Sequence, residues 1–346
     1  MLAGCAGTTV VYYSDWTCPP AAHEEAPAAT EAAPAETVAP AEGAVKTGLA
    51  IVTALGDSKN ATAEEEGEAK YDVTVVAVTV DDNGVIQNCI IDSVPGSVKF
   101  DATGAITSDV AAAVQTKNEL GEAYGMKAYG GAKFEWNEQA AALAQFAVGK
   151  TVEELRSGAV SESGHAVDAD LATTATIYLG GYVSAVEAAV ANAQHLGAQA
   201  GEELKLAILA GTGDSKAADG ENAGTAQLNV DVAALTVNGG VITSCYIDSL
   251  QAKVAFGADG VITTDLTAPV QTKNELGEAY GMKAYAGSTY EWNEQAASFA
   301  AYVTGKTADE VQGIAVAEGK PSEADLASTV TIAIGGFQAL IAKAMQ

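Results

Sequence analysis

Positive charge is what this chain has least of: Lys and Arg total 17 against 45 Asp and Glu, a formal net charge of −28 over 346 residues. Nucleic acid and anionic lipid head groups are both held through Lys and Arg, so a surface this acidic repels them. No nucleic acid is expected as a partner. Aromatic residues make up only 6% while Ala and Gly abound, so the cores are expected to be built from small aliphatic side chains. There are three histidines (His23, His165 and His195), too few and too scattered for a duplicated His-based triad or metal site. Cys-x-x-Cys, haem-attachment, zinc-protease, P-loop and dinucleotide-binding signatures are all missing.

What is present is a unit written twice. Val114–Tyr129 reads VQTKNELGEAYGMKAY, and Val270–Tyr285 repeats it letter for letter. Around the block the copies align but drift: Glu135-Trp-Asn-Glu-Gln139 returns as Glu291-Trp-Asn-Glu-Gln295, and Asp92-Ser93 as Asp248-Ser249. A unit of roughly 150 residues is too long for a solenoid repeat and has the size of a globular domain. Two tandem homologous domains are expected, at 46–196 and 202–346.

Each copy opens with a short apolar strand, Leu49–Leu55 or Leu204–Ala210, followed by a Gly-Asp-Ser-Lys turn. A β-branched run follows, from Tyr71 or Leu228. Asp82-Asn83-Gly84 and Asn238-Gly239-Gly240 are hairpin signals. The return strands hold Cys89 and Cys245, each alone in its copy and read as a buried small apolar residue rather than a redox thiol. The second half of each copy is Ala-rich and helical. Trp136–Val148 and Trp292–Thr304 are stopped by glycine, and Thr151…Glu154 and Thr307…Glu310 have capping-box spacing. A β-meander followed by helices gives an α+β fold class.

The N-terminus reads as an address. Leu2-Ala3-Gly4-Cys5 has the form of a bacterial lipobox, with Cys5 as the residue that receives lipid; residues 1–5 would be the remnant of a signal peptide. Residues 6–45, rich in Ala, Pro and Glu, have the composition of a disordered tether.

Two repeated segments offer chemistry. Asp170-Leu-Ala-Thr173-Thr174-Ala175-Thr176 returns as Asp325-Leu-Ala-Ser328-Thr329-Val330-Thr331, just before an apolar segment that opens with a Gly pair. Its plain reading is an Asp cap followed by a β-branched strand. The TKNELGEAYGMK block mixes acid, base, amide and aromatic groups without helical or strand periodicity, which suits a loop lining a pocket or packing on the sheet. Lys117 with Lys273 and Lys127 with Lys283 are cations retained in a chain poor in them, and so candidates for an anionic ligand such as phosphate.

On the lipobox and tether, the TKNELGxxYGMK and EWNEQAA blocks and the late Asp-x-x-[Ser/Thr]-x-x-Thr segment, residues 46–346 resemble the FMN-binding lipoproteins of Gram-positive bacteria used in extracellular electron transfer, of the flavinylated pheromone-lipoprotein type. In that class a flavin transferase joins FMN through its phosphate to a Thr in Asp-x-x-[Ser/Thr]-Gly-Ala-Thr. The resemblance implies one FMN per domain, covalent through Thr176 and Thr331, with Asp170, Asp325, Thr173 and Ser328 in the same motifs. Tyr124, Met126 and Trp136, with Tyr280, Met282 and Trp292, would pack on the isoalloxazine, or serve only as core anchors. The motif Gly is Thr174 here in one copy and Thr329 in the other, and Thr lacks glycine's conformational range. A rival match, Thr103-Gly-Ala-Ile-Thr107, reads as a hairpin turn. The implied protein is an electron carrier rather than an enzyme, exported and lipid-anchored to the outer face of the cytoplasmic membrane. It would be matured by a flavin transferase, take electrons from a quinone-linked membrane dehydrogenase and pass them to extracellular acceptors. The competing readings are a lipid-anchored module for a small ligand and a structural envelope protein.

Overall fold

Six strands alternate apolar residues on both of their faces, and that pattern determines the architecture. The computed structural model describes residues 43–346; the Cys5 lipobox and nearly all of the tether lie outside the described residues. In the first copy β1 (Lys46–Ala54), β2 (Gly67–Val80) and β3 (Ile86–Phe100) form an antiparallel sheet in the order β1-β2-β3. In the second, β4 (Glu203–Gly211), β5 (Gly224–Asn238) and β6 (Val241–Phe256) repeat it. Helices follow each sheet, so the α+β class with two similar halves is observed. The hairpins fall where the turn chemistry put them. Asp81 Oδ1 accepts the Asn83 and Val85 amides, each at 2.9 Å. Gly239 and Gly240 supply the two positive φ angles of the other turn.

Along β2, residues 69, 71, 73, 75 and 77 face one way and 76, 78 and 80 the other, and all are buried. The first set meets its counterparts 226, 228, 230, 232 and 234 of β5 in a core shared by the two sheets. The second set is covered by the helices of its own copy. The molecule is therefore layered helix–sheet–sheet–helix. Sequence reasoning assigned a core to each copy; the structure gives each copy a core beneath its helices and a third core held in common between the sheets.

The shared layer has approximate twofold symmetry. Phe100 and its counterpart Phe256 stack on one another, with centroids 4.0 Å apart and planes within 5°. Each ring lies over a glycine of the neighbouring strand, Gly67 or Gly224, where a Cβ would come within 2.4 Å of the ring. Reciprocal backbone bonds, Ala61 N to Gly260 O and Ala218 N to Gly104 O, both 2.9 Å, tie the copies at the strand ends. Thr47 and Ser244 share a buried hydroxyl bond of 2.7 Å, and Lys343 of the last helix pairs with Glu119 of the first copy.

In the outer layers, Trp136–Ala147 buries residues 136, 139, 140, 143, 144 and 147, one stripe of an amphipathic helix. Its counterpart is Trp292–Val303. Thr151 and Glu154, and likewise Thr307 and Glu310, form the reciprocal capping boxes their spacing announced. The helices Gly180–Ala191 and Gly335–Ala344 close each copy.

Truncating Phe256 should act on both copies. Phe256→Ala is expected to cost about 3–5 kcal/mol, with Trp136 and Trp292, read in single-tryptophan backgrounds, reporting one denaturant midpoint. Two separated midpoints would show that the copies unfold independently.

Candidate functional site

The TKNEL block is not a loop. Thr116 accepts the Glu119 amide and the Glu119 carboxylate accepts the Thr116 amide (2.9 Å), so a capping box starts a short helix at Lys117–Leu120. A 3-10 turn (Gly121–Tyr124) and a second short helix (Met126–Gly130) follow, and the second copy repeats all three. Thr116…Glu119 was the available signal, hidden by the block's lack of longer periodicity.

Buried carboxylates dock these turns. Asp92 Oδ1 accepts the Asn118 amide at 3.0 Å and Asp248 Oδ1 the Asn274 amide at 3.1 Å, while each Asn Nδ2 donates to a carbonyl of the adjacent strand. Burial raises both carboxyls, that of Asp248 to about 6, against the opposing effect of hydrogen bonds from Thr272, Ser249 and Asn274. Glu135 and Glu291, each 2% exposed, accept the amides of Met126 and Lys127, and of Met282 and Lys283, at 2.8–3.1 Å.

This scaffold brings the expected Lys, Tyr, Met and Trp of each copy together. The buried Lys117 holds its ammonium 5.1 Å from the ring centroids of both Tyr124 and Trp136; Lys273 lies 5.2 Å from Tyr280 and 4.8 Å from Trp292. Burial holds the Lys273 ammonium below the usual lysine range, partly offset by Asp231 and Asp248. In the second copy Lys273, Tyr280, Met282 and Trp292 line a cavity of about 390 Å³ together with Asp231, Ile332, Gly336 and Phe337. Met126 packs against the corresponding core of the first copy.

Thr176 and Thr331 sit at the same place in each copy, and their side chains are held by a residue that sequence reasoning passed over. Gln139 Oε1 accepts from the Thr176 amide (2.8 Å), its hydroxyl (3.2 Å) and the Ile177 amide (3.1 Å). Gln295 does the same for Thr331 (2.8 and 3.1 Å) and Ile332 (3.2 Å). Both Gln side chains are fully buried, and their Nε2 atoms donate to the carbonyls of Phe134 and Tyr290 at 3.0 Å. A Gln in an Ala-rich helix looks like a surface residue; its recurrence in both EWNEQ blocks was the only hint.

The rest of the motif is less engaged. Asp170 and Asp325 are exposed in the first turns of short helices, and Asp168, not Asp170, is the cap. Thr173 and Ser328 bond back to the carbonyls of Asp170 and Asp325 at 2.7 Å. The expected β-branched strand after the Asp is instead an irregular link between two helices. Thr174 and Thr329, at the motif Gly position, have ordinary negative φ, since Glu318 is the one non-Gly residue with positive φ among the described residues. Thr103 lies in a turn around Asp101 Oδ1, as read.

Lys127 and Lys283 are directed elsewhere. Lys127 pairs with Glu138 at 3.3 Å and Lys283 with Glu294 at 2.8 Å, so neither is a free cation beside the cavity.

The helices after the Thr residues begin at Gly180-Gly181 and Gly335-Gly336 without a side-chain cap, leaving first-turn amides available to an anion. The copies differ in three side chains: Ala333 lines the second cavity where the first copy has Tyr178, and two further changes alter polar contacts. Trp136 Nε1 donates to Tyr182 Oη at 2.9 Å, whereas Phe337 stands there in the second copy and offers Trp292 no acceptor. Asp231 stands opposite Ser249 where Thr74 stands opposite Ser93.

Comparison with protein-family models, with curated proteins and with solved structures finds no match to this chain.

Asp248 provides a pH test. Its raised carboxyl binds a proton in the folded state that the unfolded chain releases. The stabilisation is therefore complete below about pH 4 and lost as pH rises through about 6. Asp248→Asn keeps the acceptor and does not titrate. Between pH 4 and 7 the variant should gain about 2–3 kcal/mol relative to the parent in urea unfolding, and a pH-independent difference would contradict the assignment.

Proposed function

We propose that each copy carries FMN through a phosphoester on Thr176 or Thr331, and that the chain is a lipid-anchored carrier of electrons outside the membrane. The observation that carries this reading is the recurrence in both copies of an exposed Thr held by a buried Gln and of a Lys, buried in the first copy and half-buried in the second, set between two aromatic rings. The residues suit the group. A cavity of about 390 Å³ in the second copy is within the size range of small-molecule sites, and its walls combine flat aromatic surface with one ammonium, Lys273, and one carboxylate, Asp231.

FMN bound there would supply the redox chemistry. The chain's own residues do the rest. Gln139 and Gln295 accept a hydrogen bond from the Thr hydroxyl and fix its rotamer, orienting the oxygen that would carry the phosphoester; the proton and the leaving group of that transfer would be handled by the flavin transferase. The uncapped amides at Gly180-Gly181 and Gly335-Gly336 suit the phosphate oxygens. Trp136 and Tyr124, or Trp292 and Tyr280, offer faces to a flat ring, and the adjacent Lys favours negative charge on it. Asp231, present in the second copy alone, opposes that charge, so the two sites would differ in potential, with the second lower. Covalent attachment suits a protein outside the cell, where a free cofactor diffuses away.

Thr176→Ala and Thr331→Ala should each remove one flavin from protein co-expressed with a flavin transferase, and the double variant both, with unchanged far-ultraviolet circular dichroism. Peptide mass mapping reads the result. Full flavinylation of both single variants would refute the acceptor assignment.

A further inference from the structure

Just ahead of the closing helix the first copy has Tyr178 where the second has Ala333. The Tyr178 ring lies in a slot between two glycines. A Cβ on Gly164 would come within 2.0 Å of the ring, and one on Gly180 within 2.8 Å of its hydroxyl. Neither position can carry a side chain while the ring is there. His165 meets the ring edge-on, with centroids 6.3 Å apart. Tyr178 is nevertheless 60% exposed, so the slot is open to solvent on one side.

The second copy keeps both walls without the ring. Gly319 and Gly335 stand for Gly164 and Gly180. Gly319 has a φ of 79° against 75° for Gly164. Its carbonyl accepts the Ile334 amide at 3.0 Å, as that of Gly164 accepts the Leu179 amide at 2.7 Å. The loop glycine is thus fastened to the approach of the helix in the same way in each copy. A Cβ on Gly335 would meet nothing within 4 Å among the described residues, and one on Gly319 only the Ala333 methyl, at 3.5 Å. Ala333 and Gly336 also line the cavity of about 390 Å³, so the slot opens onto it.

We propose that the slot of the second copy is a binding site for a flat monocyclic phenol, and that Tyr178 is the built-in occupant of the same slot in the first. The chain's own side chain gives the ligand's chemistry. Two glycine backbones set the thickness of one aromatic ring. The hydroxyl lies against the first residue of a helix whose first turn has no side-chain cap, a polar end suited to an oxygen. The site does not rest on the flavin reading, since its walls are Gly319, Ala333 and Gly335 in the unmodified chain.

The probe is para-cresol, the Tyr side chain as a free molecule. It is titrated into the full chain, expressed without a flavin transferase, and followed by amide NMR shifts. One saturable site is expected, moving Gly319 and Gly335 while Gly164 and Gly180 stay. The ring-saturated analogue methylcyclohexanol, puckered and thicker, should not saturate. Tyr178→Ala gives the first copy the second's residue and should add a second site at Gly164 and Gly180. Ala333→Tyr makes the reverse exchange and should abolish the parental site. Gly335→Ala places one methyl in the slot from an open helix position and should weaken binding ~10-fold or more. No saturable binding of para-cresol, equal binding of the saturated analogue, no second site in Tyr178→Ala, or parental shifts surviving in both Ala333→Tyr and Gly335→Ala would each overturn the proposal.

Discussion

A three-stranded sheet that is apolar on both faces cannot be satisfied by helices on one side. That constraint governs this molecule. Each copy covers one face of its sheet with its own helices and leaves the other, with Tyr71, Val73, Val75 and Phe100 or Leu228, Val230, Val232 and Phe256, for the other copy. The two sheets meet about an approximate twofold axis, as reciprocal pairs in a symmetric interface do. Phe100 on Phe256, and Ala61 to Gly260 set against Ala218 to Gly104, are its signatures. Duplication supplied the missing half of the core within one chain. It also placed the two candidate sites in the outer helical layers, away from the shared core.

Conservation of the repeated letters has a physical counterpart in those outer layers. In TKNE, Thr and Glu close a capping box, Lys enters the aromatic pair, and Asn ties the turn to Asp92 or Asp248 and to the strand. In EWNEQ, the first Glu caps the Met helix, Trp faces the Lys, the second Glu pairs with Lys127 or Lys283, and Gln holds the Thr. The remaining letter, Asn137 or Asn293, has a buried Oδ1 without a hydrogen-bond partner among the described residues. Outside these blocks the copies were free to drift. Tyr182 against Phe337, Thr74 against Asp231 and Tyr178 against Ala333 are the drifts that touch the candidate site.

Much of this was legible in the sequence because it is local. Hairpin turns, β-branched runs and capping boxes are decided by a few neighbouring residues, and the Gly, Asp and Thr positions announced them. What was not legible depends on distant partners. The alternation in β2 is the same whether its inner face meets helices or a second sheet, so the shared core could not be read from it. Lys117 and Lys127 lie ten positions apart in one block. Only the fold decides that the first enters the aromatic pair and the second meets Glu138. Gln139 was silent for the same reason: its role exists only once the Thr176 segment has come to rest on the Trp136–Ala147 helix.

The central claim is that both copies present a Thr hydroxyl for the same covalent modification. Intact mass of the full chain under denaturing conditions, after co-expression with a flavin transferase, tests it most directly alongside the visible spectrum. The account predicts yellow protein heavier by two FMN less two waters. Colourless protein of unmodified mass would contradict it.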